Sequence, residues 1–380
     1  MKARLYLIAA FCAALGLGFN GSTHAFAQDA SFDDALRAYK DALKSKQSEM
    51  LSSAEDKLCA VAQKVAIPDG DKAPASEAAG LKDCASDKLY YDYEAKGPDY
   101  IKARMCAYDE RERAQANKDA PDGSPLQGPG VLTMLYANGQ GVSRNWPLAF
   151  RFTCEAGGAP AELSGRLEHL SKMMDEKDPS PISFCDDITS GYMAGFCASI
   201  DSEKNTFKRE AELKELLKDV PDPARSKYAV LSAAAKSFIE AQASAEQDMS
   251  GTMRGAIALD QENKDWEEFM TLMRSLKSND QTLTSATDPK QEDRKLNEIY
   301  RKLMALPGLK PEADNSDTSA DYGTVTSKTI RETQRLWIAY RDAWVDFAKA
   351  LRPSSENAIL SLVTAKRAAQ LNEILNPDGN

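Results

Sequence analysis

The spacing of apolar residues near the carboxyl end restricts the fold more than any other feature of the sequence. A mostly apolar stripe recurs there at every third or fourth position, and it comprises Ile330, Thr333, Trp337, Tyr340, Trp344 and Phe347. Residues at this spacing lie along one face of an α-helix. Similar stripes begin at Leu296 upstream and at Ile359 downstream, the latter reaching Val363 and Ala369. Because three such helices can bury their faces together, the pattern predicts a small helical bundle.

The remainder of the chain has the same helical spacing and contains no convincing alternating strand. Segments rich in Pro, Gly, Asp and Ser interrupt it at residues 67–80, 116–130, 175–183, 219–223 and 306–327. The length of 380 residues exceeds that of one ordinary domain. We therefore predict an all-α protein that is divided into two or three domains.

The first 27 residues have the features of a secretory signal peptide. Lys2 and Arg4 precede an apolar stretch, and an A-x-A motif ends at Ala27. The apolar stretch is shorter than the roughly 20 residues that cross a bilayer. We therefore expect residues 1–27 to be removed, so that the mature protein begins at Gln28. We expect it to be periplasmic or secreted, without membrane insertion.

The cysteines agree with export. Cys12 lies in the predicted leader, and six others remain: Cys59, Cys84, Cys106, Cys154, Cys185 and Cys197. An even number of cysteines in an oxidising compartment indicates disulfides. Cys185 and Cys197 lie in one short segment and are predicted to pair, whereas the order of the other four is open. A metal site is not expected, because the mature chain has no C-x-x-C motif and a single histidine, His169.

The charge of the chain limits its partners. The formal net charge is −10, and loss of Lys2 and Arg4 with the leader brings it to about −12. Such a surface repels nucleic acid and anionic lipid but attracts a basic protein. Acidity that serves solubility alone is the alternative interpretation. No nucleophile motif or cofactor motif is present, so we predict a protein that is not an enzyme and holds no cofactor. The oligomeric state is open.

Two segments near the carboxyl end carry a family resemblance. Residues 293–303 read D-R-K-L-N-E-I-Y-R-K-L, and residues 334–342 read Q-R-L-W-I-A-Y-R-D. This pair resembles the lysozyme inhibitor LprI family, in which an L-N-x-x-Y-x-x-L helix precedes a Q-x-x-W-x-x-Y-R-D helix. The matching positions are Leu296, Asn297, Tyr300, Gln334, Trp337, Tyr340, Arg341 and Asp342. The resemblance implies an exported helical module at residues 285–376 that inhibits a basic lysozyme by surface occlusion. Val345 stands where the family usually has a cysteine.

The signature residues allow two interpretations. The aromatic residues Trp337 and Trp344 are expected in the core, as most aromatic stripes on helices are. Arg341 could clamp the bundle by pairing with Asn297 or Glu298, or it could present a polar patch to a partner. The first of these is the favoured prediction.

A degenerate second copy of the module is predicted upstream. An offset of 99 residues aligns residues 231–238 with residues 330–337 and places Phe238 opposite Trp337. The segment from Cys185 to Cys197 resembles the paired-cysteine opening of the same family. We therefore expect a degenerate LprI-like module at residues 182–280.

The first half of the chain resembles a different repeat. Residues 135–142 read L-Y-A-N-G-Q-G-V, and small residues follow at Ala149 and Ala156. This pattern resembles the Sel-like repeat, a relative of the tetratricopeptide repeat whose glycines allow a tight turn between helices. The resemblance implies Sel-like helical hairpins at residues 70–175, preceded by amino-terminal helices at residues 28–66. It also implies an alternative function, a periplasmic scaffold that binds another envelope protein through these repeats.

Overall fold

The protein is described by a computed structural model that covers residues 30–45, 47–116, 124–284, 286–309 and 322–376. These residues form α-helices and short 3-10 turns without a β-strand, which confirms the predicted all-α class. The predicted signal peptide at residues 1–27 lies outside the described residues. None of the described helices is long and apolar enough to span a membrane.

The fourteen described α-helices are α1 (Ala30–Ser45), α2 (Ser48–Ala62), α3 (Ser86–Tyr91), α4 (Tyr100–Ala116), α5 (Pro129–Asn138), α6 (Trp146–Ala156), α7 (Pro160–Glu176), α8 (Gly191–Leu216), α9 (Asp222–Ala245), α10 (Arg254–Ser278), α11 (Gln281–Thr284), α12 (Pro289–Met304), α13 (Ser327–Leu351) and α14 (Glu356–Leu375). Two separate hydrophobic cores organise them. The first core extends from Phe32 on α1 to Ile200 on α8, and we call the surrounding helices the amino unit. The second extends from Val220 to Leu371 on α14 and defines the carboxyl unit.

The connection between α5 and α6 shows why glycine is needed in this turn. Gly139 and Gly141 have φ angles of 68° and 64°, which side chains other than glycine rarely adopt. A Cβ atom on Gly141 would also lie 2.7 Å from the backbone of Tyr100. Asn145 then begins α6 by accepting a hydrogen bond from the Leu148 amide at 3.1 Å. The glycine pattern therefore gives a tight helical hairpin, while the likeness to Sel-like repeats remains a prediction.

Three disulfides stabilise the amino unit. Cys185 and Cys197, the pair singled out in the sequence, are joined with their Cα atoms 5.9 Å apart. The other two bridges supply the order that the sequence leaves open: Cys59 with Cys154, and Cys84 with Cys106. The first of these ties α2 to α6 across 95 residues of chain. Cross-links over loops of this length restrict the unfolded chain strongly.

The carboxyl unit is built from long neighbouring helices. In spatial order, α8 packs against α10, α10 against α9, α9 against α13, α13 against α14, and α14 against α12. The last part of α8 contributes Leu213 and Leu216 to the second core, whereas Met193 near its start belongs to the first. One helix of 26 residues therefore connects the two units.

The later part of the predicted module at residues 182–280 shares the second core with the predicted module at residues 285–376, whereas its first part, up to Ile200, belongs to the first core. Phe238 on α9 and Trp337 on α13 lie in the same hydrophobic cluster. The duplication itself remains a prediction. Ala369, which the periodicity places on the buried face of α14, is exposed, whereas Arg367 is buried. A single apolar stripe fails to describe α14 because α12 and α13 both pack against it.

Candidate functional site

The aromatic stripe of α13 forms the centre of the second core. Thr326 and Thr329 make a capping box that fixes the start of the helix. Ile330, Trp337, Tyr340, Trp344 and Phe347 are all buried. The Tyr340 ring stacks on Phe238 of α9, with their ring centroids 5.1 Å apart. The aromatic part of the signature is therefore structural, and only the remaining positions are free to contact a partner.

The signature residues of α12 divide in the same way. Leu296 is buried, Tyr300 is half-buried, and Asn297 is exposed. The Asn297 side chain donates hydrogen bonds to the backbone oxygen and to Oδ2 of Asp293, one turn earlier. Glu298 forms an ion pair with Lys302, one turn later, at 2.8 Å.

Gln334 belongs to a buried polar cluster that sequence reasoning missed. Arg367 on α14 is fully buried and donates to both carboxylate oxygens of Glu246, at 2.6 and 2.7 Å. Its Nε atom donates to Oε1 of Gln334 at 2.8 Å. The guanidinium therefore has hydrogen-bond acceptors on two sides. Through these bonds, Arg367 on α14 is joined to α13 and to Glu246, the residue that follows α9. No sequence signal reveals it, since Arg367 and Glu246 lie 121 residues apart.

Asp265 on α10 is a second buried carboxyl group beside this cluster. Its oxygens accept hydrogen bonds from Gln261 at 3.0 Å and from Gln370 at 3.2 Å. Burial raises the pKa of Asp265 to about 7, and the nearby Glu268 adds to the rise, against the opposing effect of Gln261. An ion pair between Lys366 and Glu268 lies close by. The group therefore changes charge near neutral pH inside the carboxyl unit.

An open groove lies over α14, and we call it the signature groove. Its floor contains Leu360 and Thr364 of α14, and its volume is about 540 Å³. The walls come from the start of α12 and from α13, and they comprise Pro289, Lys290, Asp293, Arg294, Arg341, Asp342 and Val345. Both walls therefore carry charges of both signs. The position at which the family usually has a cysteine, Val345, lies in the α13 wall.

Arg341 does not form the predicted clamp. Its Nε and Nη2 atoms donate to Oδ1 of the adjacent Asp342, at 2.9 and 2.7 Å. The guanidinium also lies over the Trp337 ring, 5.1 Å from its centroid. Packing on the aromatic ring holds Arg341 at the groove, while Asp342 remains exposed. The prediction of a pairing with Asn297 or Glu298 was wrong, because α14 rather than α13 is the main neighbour of α12.

His169 contacts Asp187, with Nδ1 and Oδ2 3.0 Å apart, on the surface of the amino unit. The described residues contain no group of His, Cys, Asp and Glu side chains that could hold a metal ion.

These features define a disulfide-bonded, all-α protein with a charged groove over a helical unit that has its own hydrophobic core. Comparison with protein families matches residues 274–371 to the family described as Lysozyme inhibitor LprI. The match covers about a quarter of the chain, and it begins near the end of α10 and includes both walls and the floor of the signature groove. Comparisons with curated proteins and with solved structures gave no significant match.

Proposed function

We propose that this chain is an exported, non-catalytic binding protein whose carboxyl unit inhibits a basic lysozyme by covering its surface. The match of residues 274–371 to a family of lysozyme inhibitors carries the proposal. Three disulfides support an extracytoplasmic location, since such bridges persist mainly in oxidising compartments. The periplasm or the external medium is therefore the proposed place of action.

The charges of the chain support a basic target. A net charge of −10 attracts a basic enzyme over a distance and speeds encounter, and salt weakens this attraction. At the signature groove, Asp293 and Asp342 are exposed on opposite walls. Asp293 already accepts a hydrogen bond from Asn297, and Asp342 from Arg341, so a lysine or arginine of the partner would share these carboxylates with them. The rigid core beneath α13 keeps this surface ordered before binding, which lowers the entropy cost of association.

The first experiment measures binding of the mature protein, from Gln28 onward, to immobilised c-type and g-type lysozymes by biolayer interferometry. We expect micromolar or tighter binding to at least one of them, with an association rate that falls as salt is raised from low to physiological concentration. Absence of binding to both enzymes at micromolar concentration, in low salt, would contradict the proposal.

A pair of matched variants tests the groove. Asp342→Asn removes a charge from the α13 wall, whereas Asp346→Asn removes the same charge from an exposed residue of the same helix that does not line the groove. Because both variants alter the net charge equally, long-range attraction changes equally in both. We expect about tenfold weaker lysozyme binding for Asp342→Asn, or about 1.4 kcal/mol, and less than about twofold for Asp346→Asn. Equal effects would show that the groove is not the contact surface.

A further inference from the structure

The signature groove holds an excess of positive charge, although the chain as a whole is acidic. Three cations line it, Lys290, Arg294 and Arg341, against the two carboxylates of Asp293 and Asp342. The chain itself carries a net charge of −10. A basic enzyme is therefore attracted by the chain as a whole but repelled at this groove, unless the cations of the groove face carboxylates of the enzyme.

The two carboxylates and one of the cations already have partners. Oδ2 of Asp293 accepts a hydrogen bond from Nδ2 of Asn297 at 3.0 Å. Oδ1 of Asp342 accepts from Nε and Nη2 of Arg341 at 2.9 and 2.7 Å, and the Arg341 guanidinium also packs over the Trp337 ring. The charges of Arg341 and Asp342 therefore offset each other within the α13 wall.

Lys290 and Arg294, on the α12 wall, are the cations that remain. Both are exposed and line the groove. Within the described ranges, neither side chain forms an ion pair or a hydrogen bond, and Lys290 contacts Asp288 only through its backbone amide, at 3.2 Å. Two ammonium and guanidinium groups are therefore available to a partner at the edge of the groove.

These two cations do not stabilise the helix that carries them. Lys290 lies in the first turn of α12, where the helix dipole favours negative charge. Arg294 follows four residues later, and like charges at this spacing repel each other on a helix. Residues that break a local rule of stability in this way are expected at functional sites. The α12 wall therefore has a reason other than folding to carry both cations.

The place of α12 in the carboxyl unit makes these side chains accessible. The helix packs mainly against α14 and is the last in the spatial order of the unit. It therefore forms an edge, from which Lys290 and Arg294 extend on long side chains. A guanidinium binds a carboxylate through two parallel hydrogen bonds, and an ammonium binds it as a point charge.

The enzyme class named in the proposed function has carboxyl groups of the required kind. Most glycosidases, lysozyme included, cleave the sugar chain between a pair of carboxyl groups that face each other across the substrate site. In c-type lysozyme at least one of the pair is ionised at neutral pH. The catalytic cleft is therefore a place on an otherwise basic enzyme where a cation is attracted.

We infer that Lys290 and Arg294 enter the catalytic cleft of a c-type lysozyme and pair with its catalytic carboxylates. The inference rests on the proposed function and deepens it, because it assigns inhibition to occupation of the cleft by the start of α12. The acidic remainder of the chain then faces the basic surface around the cleft.

A matched pair of variants separates this contact from long-range attraction. Arg294→Gln removes a positive charge from the groove, and Lys295→Gln removes one from the adjacent exposed residue, which does not line it. Both variants make the chain more acidic by one charge, so long-range attraction to a basic enzyme rises equally in both. In biolayer interferometry with c-type lysozyme, we expect the mature Arg294→Gln protein to bind at least about tenfold more weakly than the wild type. Lys295→Gln should bind as tightly as the wild type or more tightly.

The outcomes distinguish the two proposals. If the wild type binds lysozyme but Arg294→Gln binds no more weakly than Lys295→Gln, the inference is overturned and the proposed function stands. Absence of binding by the wild type would overturn both. Lys290→Gln is a second variant of the same wall and should also weaken binding, and circular dichroism shows that each variant is folded.

A c-type lysozyme whose two catalytic carboxyl groups are replaced by amides locates the contact on the enzyme. This change makes the enzyme more basic, which favours long-range attraction, but it removes the proposed acceptors. We expect the wild-type protein to bind the amide enzyme at least about tenfold more weakly than native lysozyme. Arg294→Gln should bind the two enzymes with much more similar affinities, as coupled residues do in a double-mutant cycle. Equal binding of native and amide lysozyme by the wild type would overturn the inference.

Discussion

Replacing Asp265 with asparagine tests the buried carboxyl group of the carboxyl unit. Asp265 is 4 % exposed, and burial raises its pKa from an ordinary 3.8 to about 7. A carboxyl group whose pKa is higher in the folded state favours folding when it is protonated. The contribution of Asp265 to the free energy of unfolding is therefore fully present below about pH 4, and it is lost as the pH rises through 7.

The size of the effect follows from the difference between the two pKa values. Each pKa unit corresponds to about 1.4 kcal/mol, so a rise of about three units removes about 4 kcal/mol of stability between pH 4 and pH 8, as an upper limit. Asparagine keeps the shape of the protonated acid and can keep its hydrogen bonds, because one of the amides of Gln261 and Gln370 can go on donating to its oxygen while the other turns to accept its N–H. Asp265→Asn should therefore be more stable than the wild type at pH 8 and nearly equal to it at pH 4.

Urea unfolding followed by tryptophan fluorescence measures this difference. Trp266, Trp337 and Trp344 all lie in the carboxyl unit, so the signal reports mainly on that core. Asp260→Asn, at an exposed position of the same helix, is the control, and it should change stability by less than about 0.5 kcal/mol at either pH. If the wild type and Asp265→Asn lose the same stability between pH 4 and pH 8, the assignment of Asp265 is refuted.

Three further sets of substitutions test the second core, a buried ion pair and a disulfide. Trp337→Ala should destabilise the carboxyl unit by about 3–5 kcal/mol, because it removes a large buried side chain. Leu336→Ala, at a partly exposed position, should cost much less stability. An unchanged melting temperature for Trp337→Ala would refute its place in the core. Arg367→Met should lower the free energy of unfolding by about 3–5 kcal/mol, because it leaves the Glu246 carboxylate buried and unpaired. Adding Glu246→Leu should recover much of that loss in urea unfolding, and a double variant no better than the single one would argue against the pairing. Replacing Cys59 and Cys154 together by serine should destabilise the amino unit by about 2–5 kcal/mol, with calorimetry showing a lower transition for that unit while the carboxyl transition stays in place.

Much of the fold could be predicted because local spacing determines it. The stripe from Ile330 to Phe347 predicts both the helix and its buried face, and each of its residues is buried. The same periodicity fails on α14, where Arg367 and Gln370 are buried by contacts with residues more than 100 positions away. Helical spacing describes one helix against one neighbour, and it cannot show which distant carboxyl group will neutralise a buried arginine.

The candidate site was predicted only in part for a similar reason. The signature residues Arg341 and Asp342 were singled out, but their partner depends on which helices become neighbours. Because α12 packs mainly against α14, Arg341 does not reach Asn297, which bonds to Asp293 on its own helix. Arg341 instead contacts Asp342 and the Trp337 ring, both on α13.

The most direct test of the proposed function is the rate at which a basic lysozyme clears a bacterial cell-wall suspension in the presence of the mature protein. If the carboxyl unit covers the enzyme, activity should fall in proportion to added protein. Inhibition should weaken in high salt. Asp342→Asn should reduce inhibition more than Asp346→Asn does. Full lysozyme activity at a tenfold molar excess of the folded protein, for both c-type and g-type enzymes in low salt, would contradict the account.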